Sequence, residues 1–148
     1  MRAERLPADL TTAEVMVSIP KTLPHDASTA AVREALEDRH VHMVLLTRAG
    51  RLVGTVVRDD VPADRPSRSP ALGIASLEAR TVAPSDPIGR VRDRMVVARL
   101  RRLAVVDDDR RLLGLLCLKR DRSGFCSDHG VRARAAEGRN LALDLPSP

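Results

Sequence analysis

Aromatic residues are almost missing from this chain. Phe125 is the only one in 148 residues, with no tryptophan and no tyrosine. The core must therefore be aliphatic, and nucleic-acid binding by base stacking has no aromatic platforms to use. Cysteine is scarce as well: Cys117 and Cys126 are the only two, which gives no disulfide framework. Lysine is confined to Lys21 and Lys119. No apolar run approaches the ~20 residues of a membrane span. The opening residues, MRAERLPADLTTAEV, carry charges where a secretory signal needs its apolar stretch. These absences predict a cytoplasmic protein with no membrane partner.

What is present is a globular composition, with 43% hydrophobic residues and a formal net charge of +5. The length suits one compact domain, or two small halves sharing a core. The positive charge is nearly all arginine, with acids mixed among the arginines. A general enrichment in Arg, Ala, Asp and Val accounts for that pattern. Together with the lack of stacking aromatics, it weighs against a nucleic-acid partner.

The chain repeats itself. Sliding it by sixty positions aligns Thr22–Asp60 with Val82–Arg120 without a gap, and matches Pro24/Pro84, Asp26/Asp86, Arg39/Arg99, Arg51/Arg111, Leu52/Leu112 and Gly54/Gly114. MVLL (Met43–Leu46) falls on LAVV (Leu103–Val106), and LVGTVV (Leu52–Val57) falls on LLGLLC (Leu112–Cys117). One copy ends in acid at Asp59–Asp60 and the other in base at Lys119–Arg120. Two copies of one supersecondary unit are implied, neither able to bury its apolar face alone.

Each copy reads as strand, helix, strand, strand. An extended segment leads to Asp26 or Asp86, each a candidate helix N-cap, with Pro87 at a first-turn position. Ala31, Val32, Ala35 and Leu36 form one helical stripe; Ile88, Val91 and Met95 form its counterpart. Two continuous apolar runs follow, as strands covered on both faces would require, joined by hairpin turns at TRAGR and DDDRR. Leu45, Val56, Val105 and Leu116 are predicted core positions. Between the copies, Pro62, Pro66 and Pro70 exclude a long helix. The predicted organisation is a first repeat over 8–62, a linker over 63–76 with at most a short helix, a second repeat over 77–135, and a tail over 136–148.

The ordered set EVMVSIPKTLPHDASTAAVREAL, MVLLTRAGRLVGTVVRDDV, RTVAPSDPIGRVRDRM and LAVVDDDRRLLGLLCLKRD resembles the cystathionine-β-synthase (CBS) domain pair, or Bateman module. It covers Glu14 to about Asp121. The resemblance implies an α/β (α+β) fold of two β-α-β-β-α repeats packed as a pseudo-twofold pair, standing alone here. It also implies a regulatory, non-catalytic role, homodimer formation, a possible protein partner to be regulated, and clefts for an adenosine-containing ligand: AMP, ADP, ATP or S-adenosylmethionine. A ligand-free pair serving dimerisation or docking is the alternative.

Ligand-binding members end the last strand with glycine, two residues, Ser or Thr, two more, then Asp. Here Asp60 holds the ribose-acid position after Gly54, but Val57 replaces the hydroxyl. In the second copy Cys117 and Arg120 stand at the two polar positions, and Asp121 lies one residue late, on the opposite face of an extended chain. An arginine cannot accept from a ribose diol, though it can attract phosphate. The resemblance therefore places ligand contacts at Thr22, Leu23, Thr55, Val57 and Asp60, with His42, Arg101 and Arg102 near the phosphate.

Other constellations have competing readings. Basic residues at RHVHM and RLRRL suit either phosphate contacts or solvated helix ends. His40 and His42 lack further metal ligands. Cys126 and His129 have zinc-like spacing without an evident fourth ligand, so packing of Phe125 and Cys126 on the core, with Ser127 or Asp128 capping a following helix, is preferred. No metal site is predicted.

Overall fold

The computed structural model describes residues 10–18, 20–119 and 124–126. Its elements run in chain order as α1 (Thr12–Val15), β1 (Thr22–Pro24), α2 (Thr29–Leu36), β2 (Val44–Arg48) and β3 (Arg51–Val56). These are followed by β4 (Thr81–Val82), α3 (Ile88–Ala98), β5 (Arg102–Val106) and β6 (Leu112–Cys117). Short 3-10 turns occupy Arg58–Asp60 and Ala71–Ile74. The strands form two three-stranded sheets with matching topology. β1 runs parallel to β2, and β2 antiparallel to β3; β4, β5 and β6 repeat that arrangement.

The apolar pattern places the core as read. Leu45, Val56, Val105 and Leu116 are fully buried, as are Val32 on α2 and Met95 on α3. One aliphatic cluster lies under each helix, and a third, containing Met43, Leu45, Leu52 and Ala104, joins the halves. With so few aromatics, van der Waals contact among branched side chains supplies the packing.

The hairpin turns form by different chemistry. Ala49 and Gly50 both take positive φ, 54° and 81°, as a two-residue turn that follows the strand twist requires. In the second copy the Asp107 carboxylate accepts from the backbone N–H groups of Asp109 and Arg111, at 2.8 and 2.9 Å. The two turns meet: Leu52 N–H donates to Arg110 O, and Leu112 N–H to Gly50 O.

Helix starts depart from the sequence reading. Ser28, not Asp26, caps α2, its Oγ accepting from Ala31 N–H at 3.1 Å. Asp86 turns back to accept from Ala83 N–H. Pro87 is the residue flanking α3, and the first N–H of that helix, at Ile88, is satisfied by the Leu10 carbonyl. Both helices begin beyond the aspartate, so its carboxylate is out of reach of their first N–H groups. The fifth element of the first repeat is no α-helix: the proline-spaced stretch holds only 3-10 turns. The corresponding part of the second repeat lies outside the described residues.

The halves also exchange edges. Val17, ahead of β1, pairs with Leu115 on β6 through two backbone hydrogen bonds of 2.8 and 2.9 Å. Ser76, ahead of β4, pairs with Thr55 on β3 in the same way, at 2.9 and 3.0 Å. This accounts for the repeated glycine. A Cβ on Gly54 would lie 2.6 Å from Ala75 Cβ, and one on Gly114 would lie 2.6 Å from Met16 Sδ and 2.7 Å from the Val17 carbonyl. Each glycine admits the strand that the other half contributes.

One expectation is overturned at the C-terminal end. Cys117 and Cys126 are joined as a disulfide. Two cysteines make no framework, but antiparallel contact between their segments brings them together: Leu118 bridges Phe125, Lys119 N–H donates to Gly124 O, and Cys126 N–H donates to Cys117 O. Cys126 is thereby removed from any zinc pairing with His129, which lies outside the described residues, as do Arg120, Asp121, Ser127 and Asp128. Among the described residues no three His, Cys, Asp or Glu side chains gather as a metal site.

Candidate ligand clefts at the seam

Two clefts open where the repeats meet, and the sixty-residue register relates them. The first, about 460 Å3, is bounded by the turn after β3 (Val57, Arg58, Asp59, Asp60), by Arg80, by His42 and Met43, and by the Arg99–Arg102 segment that runs into the start of β5. The second, about 410 Å3, is bounded by Arg39, His40, His42, Arg101, Arg102, Lys119 and Cys126. Arg39 answers to Arg99, and Lys119 answers to Asp59. His42, Arg101 and Arg102 stand in both walls. Both volumes fall within the ~300–1,000 Å3 range of small-molecule sites.

Asp60 is held firmly in the first cleft. Arg80, from the other repeat, grips it with two nitrogens, Nη1 to Oδ2 at 2.6 Å and Nη2 to Oδ1 at 2.9 Å. The Val57 N–H adds a third bond at 2.8 Å. Burial alone pushes this carboxyl up, but the hydrogen bonds from Arg80 and Val57, with the Arg80 charge, bring it below its ordinary value. Asp60 is thus an anion whose position is fixed before any ligand arrives. A carboxylate has about four lone-pair sites, so three donors leave room for one more.

The cations are placed by the backbone around them. Arg58 donates to the Leu36 and Asp38 carbonyls, tying the turn after β3 to the end of α2. Arg99 closes α3 in the left-handed conformation, with φ 58°. Arg101 Nε donates to Leu118 O at 3.3 Å, and the nearly buried Arg102 donates to Arg101 O at 3.0 Å. His42 feels all of this: burial first, then Arg102, Arg101, Arg58 and His40, lower its pKa to about 4. It is neutral near pH 7 and able to accept as well as donate.

Of the residues that the sequence placed at the ligand, the first cleft gathers His42, Val57, Asp60, Arg101 and Arg102. Three lie elsewhere. Thr55 is fully buried, its hydroxyl donating to Ser76 O at 2.6 Å and accepting from Arg80 at 3.3 Å, so it steadies Arg80 from behind. Leu23 lines a separate hollow of about 330 Å3 beside α2, with Ala31, Ala35 and Val41. Thr22 is exposed on β1, in register with Leu45. Sequence reasoning missed Arg80, whose counterpart at position 20 is a proline, and Arg39, whose identity with Arg99 was the available signal.

The CBS domain family model matches the chain twice, over residues 13–61 and 73–120. No curated protein sequence matches it. Among solved structures, the CBS domain protein PAE2072 from Pyrobaculum aerophilum, complexed with AMP, superposes with a TM-score of 0.64 at 25% identity. That match covers 86% of this chain and 99% of the other. The CBS domain pair of protein MJ0100, in complex with 5'-methylthioadenosine and S-adenosyl-L-methionine, gives 0.61 at 18% identity over 87% and 97% of the two chains. The cytosolic domain of the Mg2+ channel MgtE, in complex with ATP, gives 0.63 at 17% identity, over 74% of this chain and 46% of that one.

Proposed function

The chain belongs to the CBS domain family, and on that footing we propose that it is a regulatory module binding an adenosine-containing ligand in the first cleft. The observation that carries this reading is a carboxylate fixed among cations: Asp60, held by Arg80, with His42, Arg99, Arg101 and Arg102 in the same walls. A ribose hydroxyl would donate to the remaining lone pair of Asp60. Guanidinium groups of the Arg99–Arg102 segment would take the phosphate, or the carboxylate of S-adenosylmethionine. The relatives with AMP, and with 5'-methylthioadenosine and S-adenosyl-L-methionine, support an adenosine ligand of this kind.

Arg80 comes from the second repeat and Asp60 from the first, so a ligand competing for Asp60 would alter the contact between halves. A ligand shifts that packing only through different affinities for the two arrangements. Catalysis has no part in this reading; the output would pass to a protein partner through a homodimer. No helix among the described residues is long and apolar enough to cross a membrane. In the cytoplasm, the location that this reading adopts, the reducing pool would hold Cys117 and Cys126 largely as thiols.

The test is thermal denaturation with AMP, ADP, ATP and S-adenosylmethionine, each at millimolar concentration. A ligand at 100 times its Kd stabilises the fold by about 2.7 kcal/mol. Asp60→Asn should abolish the shift. An unmoved melting temperature with all four ligands would reject the adenosine reading.

A second reading, a ligand-free interaction module, is favoured by one specific observation. Asp60 already has its charge matched by Arg80, and Val57 offers no hydroxyl. It predicts a stable complex with a protein partner whose affinity no adenosine ligand changes.

A further inference from the structure

The two clefts differ in charge by construction. The register that places Asp59 in the wall of the first places Lys119 in the wall of the second. Among the described residues, no Asp or Glu lines the second cleft. Its walls carry the guanidinium groups of Arg39, Arg101 and Arg102, the Lys119 ammonium, and the imidazoles of His40 and His42. Among these described residues a ribose diol would find no carboxylate, whereas a multiply charged oxyanion would meet donors on several sides.

We propose that the second cleft is a binding site for a condensed phosphate chain, recognised through its phosphate groups alone without a nucleoside. Arg39 enters from the turn beyond α2, Arg101 from just ahead of β5, Arg102 from its first residue, and Lys119 from just past β6. The site is therefore assembled from both repeats, like the first. Planar guanidinium forks match phosphate oxygens in pairs, while the lysine supplies a point charge. Arg101 is positioned by its bond to Leu118 O, one residue before Lys119, so two of the cations share one rigid support. Backbone bonds from Lys119 N–H to Gly124 O and from Cys126 N–H to Cys117 O lay residues 124–126 along the same wall.

The proposal is independent of the adenosine reading of the first cleft, and different probes report on the two. Sodium tripolyphosphate is titrated calorimetrically into the full chain, with orthophosphate and adenosine as comparisons. Tripolyphosphate should bind, more weakly as salt rises, and more tightly than orthophosphate. Losing one charge-assisted contact should weaken it about tenfold, and the Arg39→Ala, Lys119→Ala double variant by about a hundredfold. Both side chains are exposed. Lys119→Glu, which restores the acidic character of the equivalent Asp59 position, should abolish binding, while Arg68→Ala, a charge removed from the exposed linker, should leave it unchanged. Adenosine should not compete.

Melting temperatures of the variants confirm that they are folded. Absence of tripolyphosphate binding, undiminished binding in the double variant and Lys119→Glu, or equal loss in Arg68→Ala would each overturn the proposal. Failure of adenosine to bind would count against the first cleft only.

Discussion

The exchanged edges make a sharp demand on Gly54. A methyl group there would lie 2.6 Å from Ala75 Cβ and 3.3 Å from Leu72 Cδ1, against an ordinary carbon contact near 3.5–4.0 Å. The leucine tip can rotate away; the alanine Cβ cannot move without its backbone. That backbone is held next door, where Ser76 exchanges two hydrogen bonds with Thr55 and accepts a third from the Thr55 hydroxyl. Gly54→Ala must therefore either compress the contact or pull the Ser76 segment off β3. Overpacking of this kind costs about 1–3 kcal/mol, and each strained backbone bond about 1 kcal/mol more. The sum is about 2–4 kcal/mol, a fall in Tm of roughly 5–15 °C for a domain of this size.

The cause is separable by a double-mutant cycle. Ala75→Gly removes the opposing methyl, so Gly54→Ala in that background should recover at least half of the loss, a coupling of about 1–2 kcal/mol. Urea denaturation of the four proteins, with m-values compared, measures it. If Gly54→Ala lies within about 0.5 kcal/mol of the parent, or if Ala75→Gly gives no rescue, the strand exchange is not what fixes this glycine.

Breaking the Arg80–Asp60 pair by Arg80→Ala should cost about 1–2 kcal/mol, between the values for exposed and fully buried pairs, since both side chains remain slightly accessible. Because the folded-state pKa of Asp60 is depressed, its contribution is present above the ordinary carboxylate value of 3.8 and lost as pH falls through the lower folded value; Asp60→Asn should flatten that part of the acid denaturation profile. His42 is a base with a lowered pKa, so its contribution to stability is complete above 6.5 and lost as pH falls towards about 4; proton titration by NMR should find that low value, and a bound phosphate chain should raise it, with proton uptake in the same window. Reduction of the Cys117–Cys126 bond, which closes a loop over a separation of nine residues, should lower stability by about 2–3 kcal/mol on the loop-entropy model, read as a difference in urea midpoint with and without a phosphine reductant.

The fold was legible because its signals are local and doubled. The runs around Leu45, Val56, Val105 and Leu116 needed only their continuity to be read as covered strands, and the register of sixty gave both sheets together. The stripe Ile88, Val91, Met95 likewise fixed the buried face of α3. What sequence could not supply were contacts made across the seam. Arg80 answers to no cation in the first copy, and its grip on Asp60 depends on the segment ahead of β4 being laid along β3 through the Ser76–Thr55 bridge. Thr55 carried the right chemistry at the wrong pleat: it faces Ser76, so its hydroxyl serves the fold instead of the cleft. The cysteines escaped because their pairing needs Leu118 and Phe125 set side by side, a contact that no residue pattern marks. The α3 cap, one residue beyond Asp86, was missed for the same kind of reason, since a carbonyl from the other half, Leu10 O, takes the place of a side-chain cap at Ile88, whereas at α2 a local serine, two residues beyond Asp26, does the capping.

A repeated unit brought face to face with itself would, if unchanged, build two equal clefts. Sharing His42, Arg101 and Arg102 between them means that the common wall cannot set the charge of one cleft apart from the other, because any cation there is felt on both sides. The independent positions are the strand ends, where Asp59 and Asp60 close one cleft and Lys119 helps close the other. Acid at one end offsets part of the shared positive field and supplies an acceptor for a hydroxyl; base at the other adds to that field and supplies none. Two sites built on one wall with opposite ends are suited to ligands of different charge, and occupation of either by an anion would weaken the field that attracts an anion to its neighbour. Coupling between the clefts is therefore expected to be negative, and it should fade as salt screens the wall that they share.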